Sequence, residues 1–365
     1  MAELYTDVYV SSARAAGLRY VTDATPGISR QKRGSGWVYF GPDRLAVRDR
    51  ETLKRIRSLV IPPAWTNVWI CPQANGHLQV TARDARGRKQ YRYHPEFRAQ
   101  RDQAKFDRMF AFSEVLWKIR ERVEHDITQP GLPREKVMAT MVALLERTLI
   151  RVGSDEYAKA NKSYGLTTLR RKHVVVRGDA LRFEFRGKSG VVANVGVTDR
   201  RIARVVQRCQ ELPGQELFKY LDDEGTRRSV DAADINDYLR EITDREITAK
   251  DFRTFSGTML AADALRRMGP ATSERQAKQN VVRAIDETAT RLGNTRAVCR
   301  KYYIHPVLLE AYMEGDVLPP PTGAPGVERR KGRAGLRQHE REVLAFLKAR
   351  LGEENAEPTP QRRRA

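Results

Sequence analysis

Cysteine is scarce in this 365-residue sequence, and Cys71, Cys209 and Cys299 stand far from one another. An odd count without CxxC or CxxxH spacing argues against a disulfide framework and against a zinc site. Long apolar runs are missing as well. No stretch reaches the roughly 18 uncharged apolar residues a membrane span needs, so no membrane partner is expected. The opening MAELYTDVYV is acidic and lacks a basic n-region, which leads to the expectation of no secretory leader. There is no Walker loop, no GxGxxG after a strand, no HExxH and no GxSxG. The six histidines are scattered and the carboxylates form no metal-ligand pattern. Acidic charge is also short: 46 Asp+Glu face 67 Lys+Arg, for a formal net charge of +21. Such an excess calls for a polyanionic partner, nucleic acid ahead of an anionic membrane surface. The expectation is a soluble cytoplasmic protein.

The positive charge is spread over several segments. Residues 1–105 carry 19 Lys+Arg and 9 Asp+Glu, and residues 328–365 carry 11 and 6, ending in Arg362-Arg363-Arg364. A single run of this kind reads equally well as a solvated face; several together favour nucleic acid. The N-terminal hundred residues read as β-rich, with SGWVYF, NVWICP and GHLQVTARD punctuated by Gly, Pro and Asn. In RDARGRKQYRYHPEFR a turn at Asp84–Gly87 joins two strands, and period-2 alternation puts Tyr91 and Tyr93 on one face. Arg83, Arg86, Arg88, Lys89, Arg92 and Arg98 surround them. Tyr interleaved with Arg suits a nucleic-acid surface, because cations neutralise phosphate while aromatics stack or hydrogen-bond. The competing reading is an edge hairpin with its tyrosines packed inward.

From about residue 106 the texture turns helical. Apolar residues recur at helical spacing in AKFDRMFAFSEVLWKIRERVEHD and PREKVMATMVALLERTLIRVG, with Pro133 suited to a first turn and Gly153 to a C-terminal end. HVVVRGD and LRFEFRGKSGVVANVGV interrupt them; Leu181, Phe183 and Phe185 alternate and Gly187–Gly190 forms the turn of a hairpin. Helices resume in DRRIARVVQRCQEL and DINDYLREI. Thr248–Asp251 and Ser273–Gln276 resemble capping boxes, and Gly293 closes the second of those helices. LPPPTGAPGVERRKGR reads as a linker, and beyond it LRQHEREVLAFLKARL forms one short helix before a mobile basic tail. The expected fold is therefore α+β: a β-rich domain over 1–105, a mainly helical domain with a β-hairpin over 106–318, and linker and tail over 319–365.

Basic residues beside a C-terminal tyrosine suggest metal-free chemistry on phosphate. Transfer of a phosphodiester needs donors around the nonbridging oxygens, a nucleophile, and an acid for the leaving alkoxide. LIRVGSDEYAKANKSYGLTTLRRKHV, then FRGKSG, KDFRTFSGTMLA and LGNTRAVCRKYYIHP, in that order, resemble the type IB DNA topoisomerases, with the nearest likeness to the compact poxvirus-like branch found in bacteria. The resemblance covers roughly residues 15–320. It implies duplex DNA as partner, a nucleoid location, a monomer acting as a clamp, and relaxation of supercoils through a 3′-phosphotyrosyl intermediate with neither ATP nor any cofactor.

Residue by residue, the resemblance makes Arg151 and Arg253 the phosphate-binding arginines and Lys188 the acid that protonates the departing 5′ oxygen. Asn294 becomes a donor to a nonbridging oxygen and Tyr303 the nucleophile. Lys250 would assist proton transfer, and Tyr157 would lie near the phosphate. Plainer readings stand beside these roles. Arg151 also fits a helix-end cation, Lys188 a solvated turn residue, and Asn294 a residue that ends a helix. Tyr302 competes with Tyr303, which the nine-residue spacing from Asn294 selects. A tyrosine recombinase shares the Arg…Lys…Arg…Tyr order but favours His where Lys250 and Thr254 stand. A noncatalytic DNA-binding protein would explain the charge and leave the four-part order unexplained.

Overall fold

The computed structural model describes residues 2–85, 87–320 and 335–356. The chain divides into two compact units, residues 1–107 and 108–365. In the first, α1 (Ala2–Ala15) precedes a sheet of β1 (Ile28–Arg33) and β2 (Gly36–Phe40), then α2 (Arg50–Ser58), β3 (Thr66–Ile70), β4 (Leu78–Arg83) and β5 (Lys89–Tyr93). The antiparallel sheet has the order β2-β1-β3-β4-β5. Neither α1 nor α2 was legible in a segment expected to be β-rich. Asp49 caps α2 by accepting from the Thr52 N–H at 2.8 Å. Arg55 then ties the helix to the sheet, donating to Gln79 Oε1 at 2.6 Å and to the Cys71 carbonyl at 2.8 Å. Ile28, Ile56, Ile70 and Val80 form the small core between them.

The helix α3 (Pro95–Asp126) begins in the first unit and continues into the second, well before the expected change of texture at residue 106. Pro95 at its first position has φ already set for a helix, and Phe97 is buried with Ala13 and Leu18. Next come α4 (Arg134–Thr148), α5 (Asp155–Asn161), and the meander β6 (Val174–Arg177), β7 (Ala180–Arg186) and β8 (Val192–Thr198). Then follow α6 (Arg200–Glu211), the hairpin β9 (Lys219–Leu221) and β10 (Arg227–Ser229), α7 (Ala232–Thr243), α8 (Ala249–Met268), α9 (Glu274–Leu292), α10 (Arg296–Tyr302) and α11 (Pro306–Glu314). Both expected helix starts, Thr248 and Ser273, are N-caps, and Gly293 is a left-handed C-cap. One expectation is corrected at α4. Pro133 is its N-cap and Leu149, at φ 57°, its left-handed C-cap, so the helix stops before Gly153. α4 is buried on nearly every face from Val137 to Leu145, which makes it the axis of the second core.

The short helix expected within LRQHEREVLAFLKARL is present. Residues 338–356 form α12 (Gln338–Ala356), whose Val343, Leu344 and Leu347 are buried against the second core. Arg120, itself buried, donates to Glu340 Oε1 at 2.8 Å and to Glu146 Oε1 at 2.7 Å. Burial alone would raise the Glu340 carboxyl, but the Arg120 ion pair takes it below its ordinary value. This pair and the buried apolar side chains together hold the segment; the expected mobile tail, residues 357–365 with Arg362–Arg364, lies outside the described residues. Arg120→Ala would leave the buried Glu340 with only Arg337 to offset it, and losses of a buried partner cost about 3–5 kcal/mol. A clear drop in denaturation midpoint is expected, and an unchanged midpoint would show that α12 is not held this way. Because the Glu340 pKa is depressed, its share of stability is present above its ordinary value near 4.5 and lost as pH falls below it.

Candidate active site

Arg151 lies on an extended segment after α4, fixed by backbone pairing with the loop after α5. The Leu166 N–H donates to the Arg151 carbonyl at 2.8 Å and the Thr167 N–H to the Val152 carbonyl at 2.7 Å. The two strands of this crossing touch only because Gly165 has no side chain: a Cβ there would lie 2.5 Å from Gly153 N and 2.6 Å from the Arg151 carbonyl oxygen. Arg151 Nη2 donates to the Gly293 carbonyl at 2.9 Å and to Asn294 Oδ1. Arg151 is thus part of a cluster and is not a cation serving the end of α4.

Arg253 points from α8 into the same place. It is buried, donating through Nη2 to the Leu292 carbonyl at 2.7 Å and through Nη1 to the Leu149 carbonyl. Its guanidinium lies 5.2 Å from the centre of the Tyr303 ring. Burial first, and then the Arg253 charge, lower the Arg151 pKa, while Tyr303 opposes them. Tyr303 follows α10 directly and packs against the main core, whereas Tyr302 is 41% exposed. Asn294 follows the C-cap Gly293, its N–H donating to the Ala289 carbonyl at 2.9 Å. Its Nδ2 is buried beside the Cys299 thiol, whose pKa it helps to hold down against burial, and has no oxygen or nitrogen partner among the described residues. Arg151, Arg253, Asn294 and Tyr303 therefore converge from four separated segments. Cys299 joins them unforeseen, its thiol pushed up to about 11 by burial despite both arginines.

Lys188 occupies the tip between β7 and β8. β7 alternates exposed and buried along its length, as Leu181, Phe183 and Phe185 required. The Gly187 N–H closes the turn onto the Val191 carbonyl at 2.7 Å. Lys188 is exposed and borders an open cleft of about 1050 Å³ that Arg151, Tyr157 and Gly293 also line. Asp286 and Glu287 at this cleft are paired, with Arg296 at 2.6 Å and Arg267 at 2.7 Å, so their charge is largely offset. Ser154, Asn194, Thr290 and Arg291 line it too, and nothing in their sequence context marked them.

Lys250 stands apart from this cluster. Lys250 is exposed on the first turn of α8 and makes no hydrogen bond or ion pair with the cluster among the described residues. The first turn of α8 is capped from within the chain. Asn236 Oδ1 accepts from the Ala249 N–H at 3.2 Å, and the Asp251 carboxylate accepts from Thr248 and pairs with Arg108 at 2.8 Å.

The basic hairpin of the first unit is more heavily paired than its sequence indicates. Arg88 meets Asp84 at 2.7 Å and Lys89 meets Asp23 at 2.6 Å. Arg83 donates to the Gly87 carbonyl at 2.8 Å, and Arg92 to that of Val60 at 2.9 Å. Tyr91 and Tyr93 do share a face, stacked at 6.2 Å and 7°. Tyr91 is 48% exposed, but Tyr93 packs on Phe97 and His77, and burial pushes its phenol up to about 12. One tyrosine is available to a ligand and the other is an anchor. Arg86 lies outside the described residues.

Residues 94–315 match the family model described as eukaryotic DNA topoisomerase I, catalytic core. Residues 36–84 match that of the bacterial DNA topoisomerase IB, N-terminal domain. A DNA topoisomerase 1B of Acanthamoeba polyphaga mimivirus is 33% identical over 293 residues, covering 78% of this chain and 87% of that protein. The DNA topoisomerase 1B of vaccinia virus (strain Copenhagen) is 23% identical over 283 residues, 74% of this chain and 85% of its own. The matched span runs through the segments that bring Arg151, Arg253, Asn294 and Tyr303 together, and the chain belongs to the type IB DNA topoisomerases.

Proposed function

We propose that this chain relaxes supercoiled duplex DNA with Tyr303 as nucleophile. The observation that carries the reading is the placing of the Tyr303 ring beside Arg253, with Arg151 and Asn294 in the same cluster. Tyr303 Oη attacks the scissile phosphorus, the bond from phosphorus to the 5′ oxygen breaks, and a 3′-phosphotyrosyl bond forms. The phenol proton is lost to water, and the 5′ oxygen leaves with a proton from Lys188 Nζ. Arg151 and Arg253 hold the nonbridging oxygens, where a planar guanidinium offers paired donors. Asn294 Nδ2, which lies beside the Cys299 thiol and has no oxygen or nitrogen partner among the described residues, can donate to the same oxygens. A neutral amide cannot carry a proton, which leaves the acid role to Lys188. Lys250, exposed one turn before Arg253, assists only after rearrangement on DNA.

Resealing runs the same steps backwards, the 5′ hydroxyl attacking the phosphotyrosine. The covalent link conserves the energy of the phosphodiester, so no nucleotide is needed, and the positive charge the transition state requires is supplied by Arg and Lys. The chain acts as a monomer on the nucleoid of a bacterial cytoplasm. The basic residues of both units engage the DNA backbone, with Tyr91 and Tyr157 as the aromatic contacts. Relaxation of supercoiled plasmid in excess chelator and without nucleotide is the test. Full relaxation is expected, with affinity falling steeply as salt rises; strict dependence on a divalent metal or on ATP would overturn the mechanism.

A further inference from the structure

Tyr303 stands in an awkward place for a nucleophile. It comes after the last residue of α10, at φ −131° and ψ −12°, and α11 begins only at Pro306. Helical hydrogen bonds hold one side of its peptide, through the Tyr303 N–H to the Cys299 carbonyl at 3.0 Å. The other side is held by α8. Thr258, fully buried, places its hydroxyl 3.3 Å from the Tyr303 carbonyl oxygen and accepts from the His305 N–H at 3.1 Å. Its single proton is shared between that carbonyl and the Thr254 carbonyl, also at 3.3 Å.

The neighbouring residue fixes the distance. A Cβ on Gly257 would lie 2.5 Å from the Tyr303 carbonyl oxygen and 2.9 Å from Tyr303 Cβ. These atoms belong to the chain path itself and cannot swing aside as the end of a long side chain does. Glycine inside a helix is unfavourable relative to alanine, and here its backbone needs no left-handed conformation. Close approach to Tyr303 is its physical reason. Arg253 lies one turn earlier on the same helix. One rigid element thus sets both the cation beside the Tyr303 ring and the backbone from which that ring projects.

We propose that Gly257 and Thr258 are positioning residues for the nucleophile, gauging Tyr303 against Arg253 from a single helix. The inference rests on the reading of Tyr303 as nucleophile. Both residues are buried, so they do not serve as DNA contacts. Displacing Tyr303 should therefore slow cleavage and resealing together, leaving DNA affinity and the fraction of covalent complex at equilibrium unchanged. A variant that is merely less well folded would instead lose reaction amplitude and keep its rate constant.

The experiment is single-turnover cleavage and resealing on a duplex carrying one preferred site, with the adduct mapped in the parent protein. Gly257→Ala is expected to lower both rate constants about 100-fold, the scale of an ångström-sized misplacement, with unchanged DNA affinity. Thr258→Val, which keeps the shape and removes the hydroxyl, is expected to lose about tenfold, as for one hydrogen bond. Thr258→Ser is expected to restore most of it. Should Gly257→Ala fail to fold, the Thr258 pair decides: Val and Ser variants both reacting at the parent rate overturn the proposal. With the adduct on Tyr303, unaffected rates in folded Gly257→Ala overturn the positioning role alone. An adduct on any other residue overturns the nucleophile assignment and this inference with it.

Discussion

Tyr303→Phe is expected to abolish relaxation and covalent capture of DNA while leaving noncovalent binding largely intact. Removing the hydroxyl removes the only atom that bonds to phosphorus in the proposed scheme, so cleavage should fall by at least about 10⁴-fold. Binding should survive because the arginines and the basic surface remain, and phosphate contacts of that kind supply most of the affinity for DNA. The ring should also stay in place, since its packing on the core and its 5.2 Å approach to Arg253 do not use the hydroxyl. Tyr302→Phe is the matched control. Its side chain is exposed, and relaxation near the parent rate is expected. Loss of activity in the Tyr302 variant with retention in the Tyr303 variant would move the nucleophile by one residue and break the proposed cluster.

Local patterns were the legible part of the sequence. The alternation of Leu181, Phe183 and Phe185 specified a strand with one buried face, and that is how β7 lies. Thr248, Ser273 and Gly293 marked helix ends because caps act on backbone groups a few residues away. Long-range partners were not legible. The basic hairpin gave no sign that Lys89 meets Asp23, far away in the chain. The helix holding Glu340 was legible, but the sequence does not show that Arg120 waits for it in a buried site. The same limit applies within the site. Motif order pointed to Arg151 and Arg253, but their anchoring on the carbonyls of Gly293, Leu149 and Leu292 depends on how the helices pack. Alternation likewise put Tyr91 and Tyr93 on one face without showing that Phe97 and His77 cover only the second.

Lys188→Ala is expected to slow cleavage of an ordinary phosphodiester by about 10²–10⁴-fold, the usual contribution of a general acid. The residue is exposed at the tip of the β7–β8 hairpin, beside the cleft that Arg151 also lines, so it can enter a groove once DNA occupies the site. An alkoxide leaves poorly unless protonated, whereas a thiolate leaves readily without a proton. Replacing the 5′-bridging oxygen by sulfur at the scissile position should therefore restore the Lys188→Ala variant nearly to the parent rate. Arg151→Ala and Arg253→Ala should gain no such selective rescue, because their proposed task concerns the nonbridging oxygens, which the substitution leaves alone. The comparison separates proton donation from charge stabilisation at a single residue. If sulfur fails to rescue Lys188→Ala, Lys188 acts through position or charge. The acid would then be sought at Lys250, whose exposed side chain would have to turn from solvent towards Arg253 on binding DNA.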